Sequence, residues 1–438
     1  MLQGIALFLF TNDLRLSDNP AYLAAATGSR HLLCCYCVDP AWFRPGRYMT
    51  RRMGEQRWRF LRESLKCLES SLAERRQKLL VRYQSPSASI QQLIQAHGIE
   101  KVYRSRQSGY EEVSSWLELK QRFPSVLFSE IATSTLFEID QLPFELHDLP
   151  GTYSQFRRKV EKLAITEPVC APDLTPSPVV GFNYLKDQLP SVNSHLHSTF
   201  KGGEKSGLRH LSEYFSTPSP SVYKQTRNAL MGWDASTKLS PWLAHGCISP
   251  RQVMSALKCY ETDIVANEST YWILFELLWR EYFFWYALKH GVLLFSLKGI
   301  SARHKLSSFY GERFQKWCAG NTPWPLVNAC MKELKETGYL SNRGRQIVAS
   351  CFIHELGMDW RYGAAWFEEQ LIDYDVGSNW GNWQYLAGVG ADPRGIRHFD
   401  LDKQTSQYDP DGAYIRRWGG ESTCLLDSVD AADWPILK

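Results

Sequence analysis

Two halves of this chain follow different periodicities, and that division constrains its architecture more than any other feature. Short apolar runs at residues 4 to 10 (GIALFLF) and 31 to 38 (HLLCCYCV) have the length and composition of strands buried on both faces of a parallel sheet. Helical patterns separate them. Met53 to Arg75 places Trp58, Leu61, Leu65, Leu68 and Leu72 on one stripe, and a second helix is expected from Ser87 to His97. KLLVRY at 78–83 and KVYRS at 101–105 read as further strands. This alternation predicts a doubly wound, parallel α/β (Rossmann-like) domain over residues 1–135. Residues 136–205 carry Pro143, Pro150, Pro168, Pro172, Pro176, Pro178 and Pro190 among polar residues and read as an interdomain linker, with one amphipathic helix at TYSQFRRKVEK (152–162). From Gly207 onward the period is helical, notably over 268–290, 327–337 and 345–372, so an all-α domain is expected at 206–418, followed by a short tail at 419–438.

Composition permits this division and narrows the chemistry. At 438 residues and 44% hydrophobic content, the chain has room for two or three domains with a substantial core. Sixteen Trp exceed what core packing usually demands, which leans toward a chromophore protein over a merely Trp-rich helical core. A net charge of +4 means that any nucleic-acid contact must come from a local patch. Eleven irregularly spaced Cys, without a zinc quartet and with Cys34, Cys35 and Cys37 inside an apolar run, suit buried thiols in a reducing cytoplasm. MLQGIALFLF is too short for a secretory signal, and no window approaches a membrane span.

The densest chemistry lies between Asn342 and Trp383. NRGRQ, DWRYGAAWF and LIDYDVGSNWGNW bring together Asp373 and Asp375, Asn342 and Asn379, Arg343 and Arg345, and Trp360, Trp380 and Trp383. That mixture can surround a large planar cofactor and pass an electron through stacked rings. No GxGxxG follows a strand, so a dinucleotide would have to bind outside the first domain. ASTKLSPWLAHGCISP offers Ser236, Thr237 and Ser240 before a helical run, either as ordinary caps or as a diphosphate seat. In FELLWREYFFWY (275–286), Glu276 and Arg280 stand at i,i+4 with Trp279 beside them. They form either an intrahelical ion pair or one wall of a polar pocket lined by rings.

FLFTNDLRLSDNPAY, STKLSPWLAHGCISPRQ, LLWREYFFW, TGYLSNRGRQIVAS and LIDYDVGSNWGNWQY resemble, in order and approximate spacing, the signatures of the photolyase/cryptochrome family, across nearly the whole chain. TYSQFRRKVEK, NRGRQ, DYDVGSNWGNW and QYDPDGAYIRRW are similar to its cryptochrome-DASH branch. The resemblance implies FAD in the helical domain, held by Tyr223, Ser236, Thr237, Leu239 and Ser240, with Arg280, Arg345, Asp373, Asp375 and Asn379 around the flavin. It implies repair of cyclobutane pyrimidine dimers in single-stranded DNA by electron transfer from FADH⁻ under blue light, with RNA or duplex DNA as weaker partners and the chain acting as a monomer. Glu276, Trp279, Asn342 and Arg343 match substrate-contacting positions, with Glu276 and Asn342 also at the flavin. Tyr385 stands where photolyases typically carry another Trp, and is either a smaller stacking surface or packing.

Trp360 and Trp383 match the inner members of the family's photoreduction chain. The outer member's region reads SSFYGER, leaving either Tyr310 or Trp317 as the terminus or weak light reduction. SGYEEV (108–113) resembles the loop for a 5,10-methenyltetrahydrofolate antenna, with Glu111 or Glu112 as its carboxylate; the same acidic pair is also what a helix start attracts. The rival reading is a blue-light photoreceptor that binds nucleic acid and signals through flavin redox state without repair. A light-independent electron-transfer protein ranks last, because it gives Glu276, Trp279 and Asn342 no task.

Overall fold

The computed structural model describes residues 4–172, 175–185, 187–193, 199–301, 307–391 and 397–426. Strands β1 (Ile5–Phe10), β2 (His31–Cys37), β3 (Leu79–Arg82), β4 (Ile99–Ser105) and β5 (Leu127–Ile131) form one parallel sheet in the order β3-β2-β1-β4-β5. Helices α1 (Pro20–Thr27), α2 (Glu55–Glu74), α3 (Pro86–His97) and α4 (Tyr110–Arg122) alternate with them. The unbroken apolar runs of β1 and β2 have a structural cause, since both faces of each strand are covered. Leu7, Leu9, Leu33 and Cys35 belong to one cluster with Ile90, Leu93 and Trp116, whereas Phe8, Phe10, Cys34 and Tyr36 join the large core that continues into the helical half. The doubly wound α/β expectation therefore holds. β5 lacks an apolar run because its residues are half-exposed or exposed.

The remaining elements are helical: α5 (Tyr153–Val160), α6 (Glu204–Phe215), α7 (Tyr223–Thr226), α8 (Ser240–Ala244), α9 (Pro250–Asp263), α10 (Glu268–His290), α11 (Gly311–Ala319), α12 (Pro325–Thr337), α13 (Asn342–Ser350), α14 (Trp360–Gln370), α15 (Val376–Ala387), α16 (Leu401–Tyr408) and α17 (Ala413–Arg417). One expectation needs correction. The stretch 345–372 is not one helix, because α13 passes into a π turn at Cys351–Glu355, Gly357 takes a left-handed φ of 66°, and Asp359 caps α14 through Arg361 N at 3.0 Å. The proline-rich 136–205 segment includes α5 as expected, pinned by buried Tyr153, Phe156 and Val160. Elsewhere it is tied down: Pro176 O accepts from Gln77 Nε2 at 2.9 Å and Pro190 O from Trp58 Nε1 at 3.1 Å. The tail expected at 419–438 lies outside the described residues from position 427 on. No helix among the described residues is long and apolar enough to cross a membrane.

Buried charge joins the sheet to the helical half. Arg15 is fully buried and donates to Asp18 O at 2.7 Å, Thr133 O at 2.6 Å and Gly246 O at 2.9 Å. Asp18, also fully buried, pairs with Arg251 at 3.0 Å. Gly246 sits at φ 63°, and a Cβ there would stand 2.0 Å from Asn12 O, so only glycine lets the α8–α9 turn approach β1 this closely. Removing one partner of a buried pair leaves the other charge uncompensated. Arg251→Met should therefore lower stability by about 3–5 kcal/mol in denaturant titration, and a loss below about 1 kcal/mol would show that the junction does not depend on this pair.

Candidate functional site

The longest helix, α10, carries the site. Asn267 starts it by accepting from Ser269 N at 2.8 Å and Thr270 N at 3.1 Å, and its second half is rich in buried aromatics and aliphatics, from Leu277 to Ala287. Charges on such a helix need partners. Glu276 finds Arg227, just past α7, at 2.5 Å, so the intrahelical Glu276–Arg280 pair is not formed. Arg280 instead donates to the carbonyls of Ser134 and Leu243. Glu281 accepts from Leu136 N and Trp285 Nε1, both at 2.8 Å. Burial pushes the Glu276 carboxyl above the usual range, against Arg227, and pushes Glu281 up to about 7.

A cavity of about 600 Å³ opens on this helix. One wall is Tyr223 with Ser236, Thr237, Leu239 and Ser240; α10 supplies Glu276, Trp279 and Arg280; Asn342, Arg345, Asp373, Asp375 and Tyr385 complete it. An adjoining space of about 120 Å³ shares Asn342, Arg345, Asp373, Asp375 and Tyr385 and adds Asn379 and Trp383. The α8 start uses no side chain as a cap, so the ordinary-cap reading of Ser236, Thr237 and Ser240 does not apply. Arg345 Nη2 reaches Asp373 Oδ2 at 2.7 Å and its Nε reaches Leu340 O at 2.8 Å. Asp373 Oδ1 is buried without a hydrogen-bond partner, an acceptor awaiting a donor from within the cavity. Asp375 caps α15 through Ser378 N at 2.8 Å, and Asn379 Nδ2 donates to Ala364 O at 3.0 Å, which fixes its amide. Hydroxyls at one end, an ion pair with a spare acceptor in the middle and aromatic rings at the other suit a polar, dinucleotide-sized ligand.

Arg343, Trp360, Glu111 and Glu112 line neither space. Arg343 stands at the rim, donating to Asn228 Oδ1 at 3.3 Å with its guanidinium 4.8 Å from the Tyr408 ring centre. Trp360 is buried, its Nε1 donating to Leu297 O at 3.2 Å. Glu111 pairs with Arg52 Nη2 at 2.7 Å on the surface of the first domain, while burial raises the Glu112 carboxyl. Trp383 packs over α14 so tightly that a Cβ on Gly363 would lie 2.3 Å from its ring. Trp317 has 0% exposure, which removes it as a surface terminus.

The sequence reading missed four contributors. Arg227 clamps Glu276; its signal was its position four residues after Tyr223. Tyr153 of α5 stacks on Trp279 at 3.7 Å and 11°, and Phe283 backs the other face at 5.5 Å and 26°. Arg397 lies 4.4 Å over Tyr385, whose ring meets Trp279 edge-on at 5.9 Å.

Residues 272–434 match the family model for the FAD binding domain of DNA photolyase, and residues 6–175 match that for DNA photolyase. A cryptochrome DASH of Idiomarina loihiensis is 54% identical, covering 99% of this chain and 96% of its own length. One from Vibrio parahaemolyticus is 47% identical, with 100% and 98% covered. The chain belongs to the cryptochrome-DASH branch of the photolyase/cryptochrome family. Its fold agrees: a cryptochrome structure from Synechocystis superposes with TM-score 0.91 at 39% identity, covering 95% of this chain and 89% of the other. The cavity thus belongs to an FAD-binding domain of photolyase type.

Glu281, on the same helix, yields a pH test of how α10 is held. Its folded-state pKa of about 7 exceeds the ordinary 4.5, so the folded protein keeps a proton there that the unfolded chain releases. The contribution is fully present below pH 4.5 and is lost as pH rises toward about 7. Glu281→Gln should remove this decline, so the melting-temperature difference between wild type and variant should shift in favour of the variant across that window; a pH-independent difference would contradict the assignment.

Proposed function

We propose that this protein uses blue light to repair cyclobutane pyrimidine dimers in single-stranded DNA, with FAD in the large cavity. The observation that carries this reading is that one cavity joins a cofactor wall (Ser236, Thr237, Ser240, Arg345, Asp373) to a substrate wall (Glu276, Trp279, Asn342, Tyr385). Reduced FAD, when bound, supplies the electron that splits the dimer.

The chain's own residues hold and orient the two ligands. Tyr223, Ser236, Thr237, Leu239 and Ser240 receive the diphosphate end, with amides and hydroxyls as donors. Arg280, Arg345, Asp373, Asp375 and Asn379 would surround the ring system, where Asp373 Oδ1, buried without a partner, would be available as an acceptor. Glu276, kept in place by Arg227, would hydrogen-bond the edge of a flipped pyrimidine. Asn342 supports the same edge. Trp279, which stacks on Tyr153, and Tyr385, backed by Arg397, line the lesion side of the cavity, while Arg343 would meet phosphate. Trp383, which lines the inner space, and the buried Trp360 would supply electrons to a bound flavin. Glu111 and Glu112 would serve as carboxylates for a 5,10-methenyltetrahydrofolate antenna. All eleven cysteines are free, which suits a cytoplasmic monomer. The photoreceptor alternative is not favoured, since signalling alone gives Glu276, Asn342 and Tyr385 no reason to gather at one cavity.

The preference for single strands follows from size. Extruding a dimer from a duplex costs a few kcal/mol, and tyrosine at 385 offers less stacking to offset it than an indole would. Repair of dimers in single-stranded oligonucleotides should exceed repair in matched duplexes by at least about tenfold; equal rates would reject the single-strand assignment. Glu276→Ala should slow repair on the order of 10²-fold while changing DNA affinity far less. If affinity falls as much as repair, Glu276 is a binding residue only. Trp383→Phe should block photoreduction of oxidised flavin yet leave repair by chemically reduced protein largely intact, and photoreduction at the wild-type rate would remove Trp383 from the electron supply.

A further inference from the structure

Trp360 is two rings from solvent along a path that no sequence spacing indicates. Its indole meets Trp380 at 5.9 Å between centroids and 75° between planes, and Trp380 lies 6.1 Å from Tyr48. Trp360 and Trp380 are buried, whereas Tyr48 is half-buried between exposed Arg47 and Met49. Adjacent rings on this path are in van der Waals reach, the condition for passing an electron without a gap. Trp317 offers no outlet, since its neighbours Phe352, Phe367 and Trp383 enclose it and its Nε1 is bonded to Val348 O at 3.1 Å.

Trp380 also has a base. Its Nε1–H points at Glu368 Oε2 and Tyr374 Oη, each at 3.2 Å. Neutral indole does not give up that proton, but an indole that has lost an electron is a strong N–H acid, and a carboxylate in hydrogen-bond contact can take it. Glu368 is faced by Arg57, which donates to its backbone oxygen at 3.1 Å and stacks 4.5 Å over Tyr374, and by Arg52. Around Tyr48 stand Arg47, Tyr362 at 5.1 Å, and Arg361, which is neutralised by Asp359 at 2.7 Å. Burial raises the Tyr48 phenol.

We infer that Trp380 and Tyr48 form the outward branch of the electron supply, with Glu368 accepting the Trp380 indole proton; this rests on the proposed flavin photoreduction through Trp383 and Trp360. The sequence of events balances. A hole at Trp360 is filled by one electron from Trp380, whose Nε1–H bond breaks as the proton moves to Glu368 Oε2, leaving a neutral indolyl radical. Tyr48 then gives one electron to Trp380 and its phenolic proton to water, while Glu368 returns the indole proton. A hydrogen-atom donor in solution, such as a thiol, returns one electron and one proton to Tyr48 and becomes a thiyl radical. Each cycle moves one electron inward and releases one proton to solvent.

The test is transient absorption and electron paramagnetic resonance after a blue flash, on FAD-loaded wild type and on Tyr48→Phe, Trp380→Phe, Glu368→Gln and Tyr310→Phe. Wild type should show a tryptophan radical followed by a tyrosyl radical. The tyrosyl signal should be lost in Tyr48→Phe and Trp380→Phe and kept in Tyr310→Phe, and in Glu368→Gln the indole signal should persist as a radical cation. Spin-trap adducts mapped by mass spectrometry should fall on Tyr48, a readout that needs no repair activity. A tyrosyl signal that survives Tyr48→Phe, or vanishes only in Tyr310→Phe, overturns the branch. Unchanged deprotonation in Glu368→Gln overturns Glu368 as the base. A tryptophan radical with no tyrosyl radical sinks the branch but spares the Trp383 route, whereas no radical of either kind, in protein whose flavin is bound, sinks both.

Discussion

Three charges on one buried helix organise the molecule. α10 is too apolar to leave Glu276, Arg280 and Glu281 unpaired, and each is satisfied by a different segment: Arg227 beyond α7, the carbonyls of Ser134 and Leu243, and the amide of Leu136. Because Ser134 and Leu136 follow directly on the last strand of the sheet, this helix is locked to the first half of the chain as well as to its own. The cavity inherits that rigidity. Glu276 and Trp279 are presented from a backbone that cannot slide without stranding a buried charge.

The junction around Arg15 repeats the principle. A guanidinium satisfied entirely by backbone carbonyls from three separate segments, with Arg251–Asp18 beside it, fixes the α8–α9 turn against β1. The loop from Ser236 to Ser240 leads directly into that turn. The seat proposed for the diphosphate is thus set by contacts some distance from any ligand, and the same network is why the two halves behave as one scaffold.

Much of this was legible in the sequence, for identifiable reasons. β1 to β4 announced themselves because strands covered on both faces must be apolar throughout; β5 did not, since an edge strand half open to water keeps no such run. The cavity residues from Tyr223 to Tyr385 were named from motifs, and the structure brings most of them together. What the motifs concealed were partnerships across the chain. Glu276 and Arg280 have ideal helical spacing for each other, yet each is taken by a better-placed partner. Tyr153 sits in the proline-rich segment, 126 positions before the Trp279 it stacks on, a distance that no local pattern spans. The break after α13 was hidden as well, because a π turn keeps a helical pattern of apolar residues while shifting its phase.

The central claim is that the Arg345–Asp373 pair and the 236–240 loop frame a flavin. The most direct measurement is the amount of FAD released on denaturing the purified protein, compared with Arg345→Leu whose fold is verified by its melting curve. Close to one non-covalently bound FAD per wild-type chain, and its loss in the variant, is the predicted result. Wild-type protein that neither carries FAD nor takes it up on reconstitution, or a variant that retains it undiminished, would contradict the account.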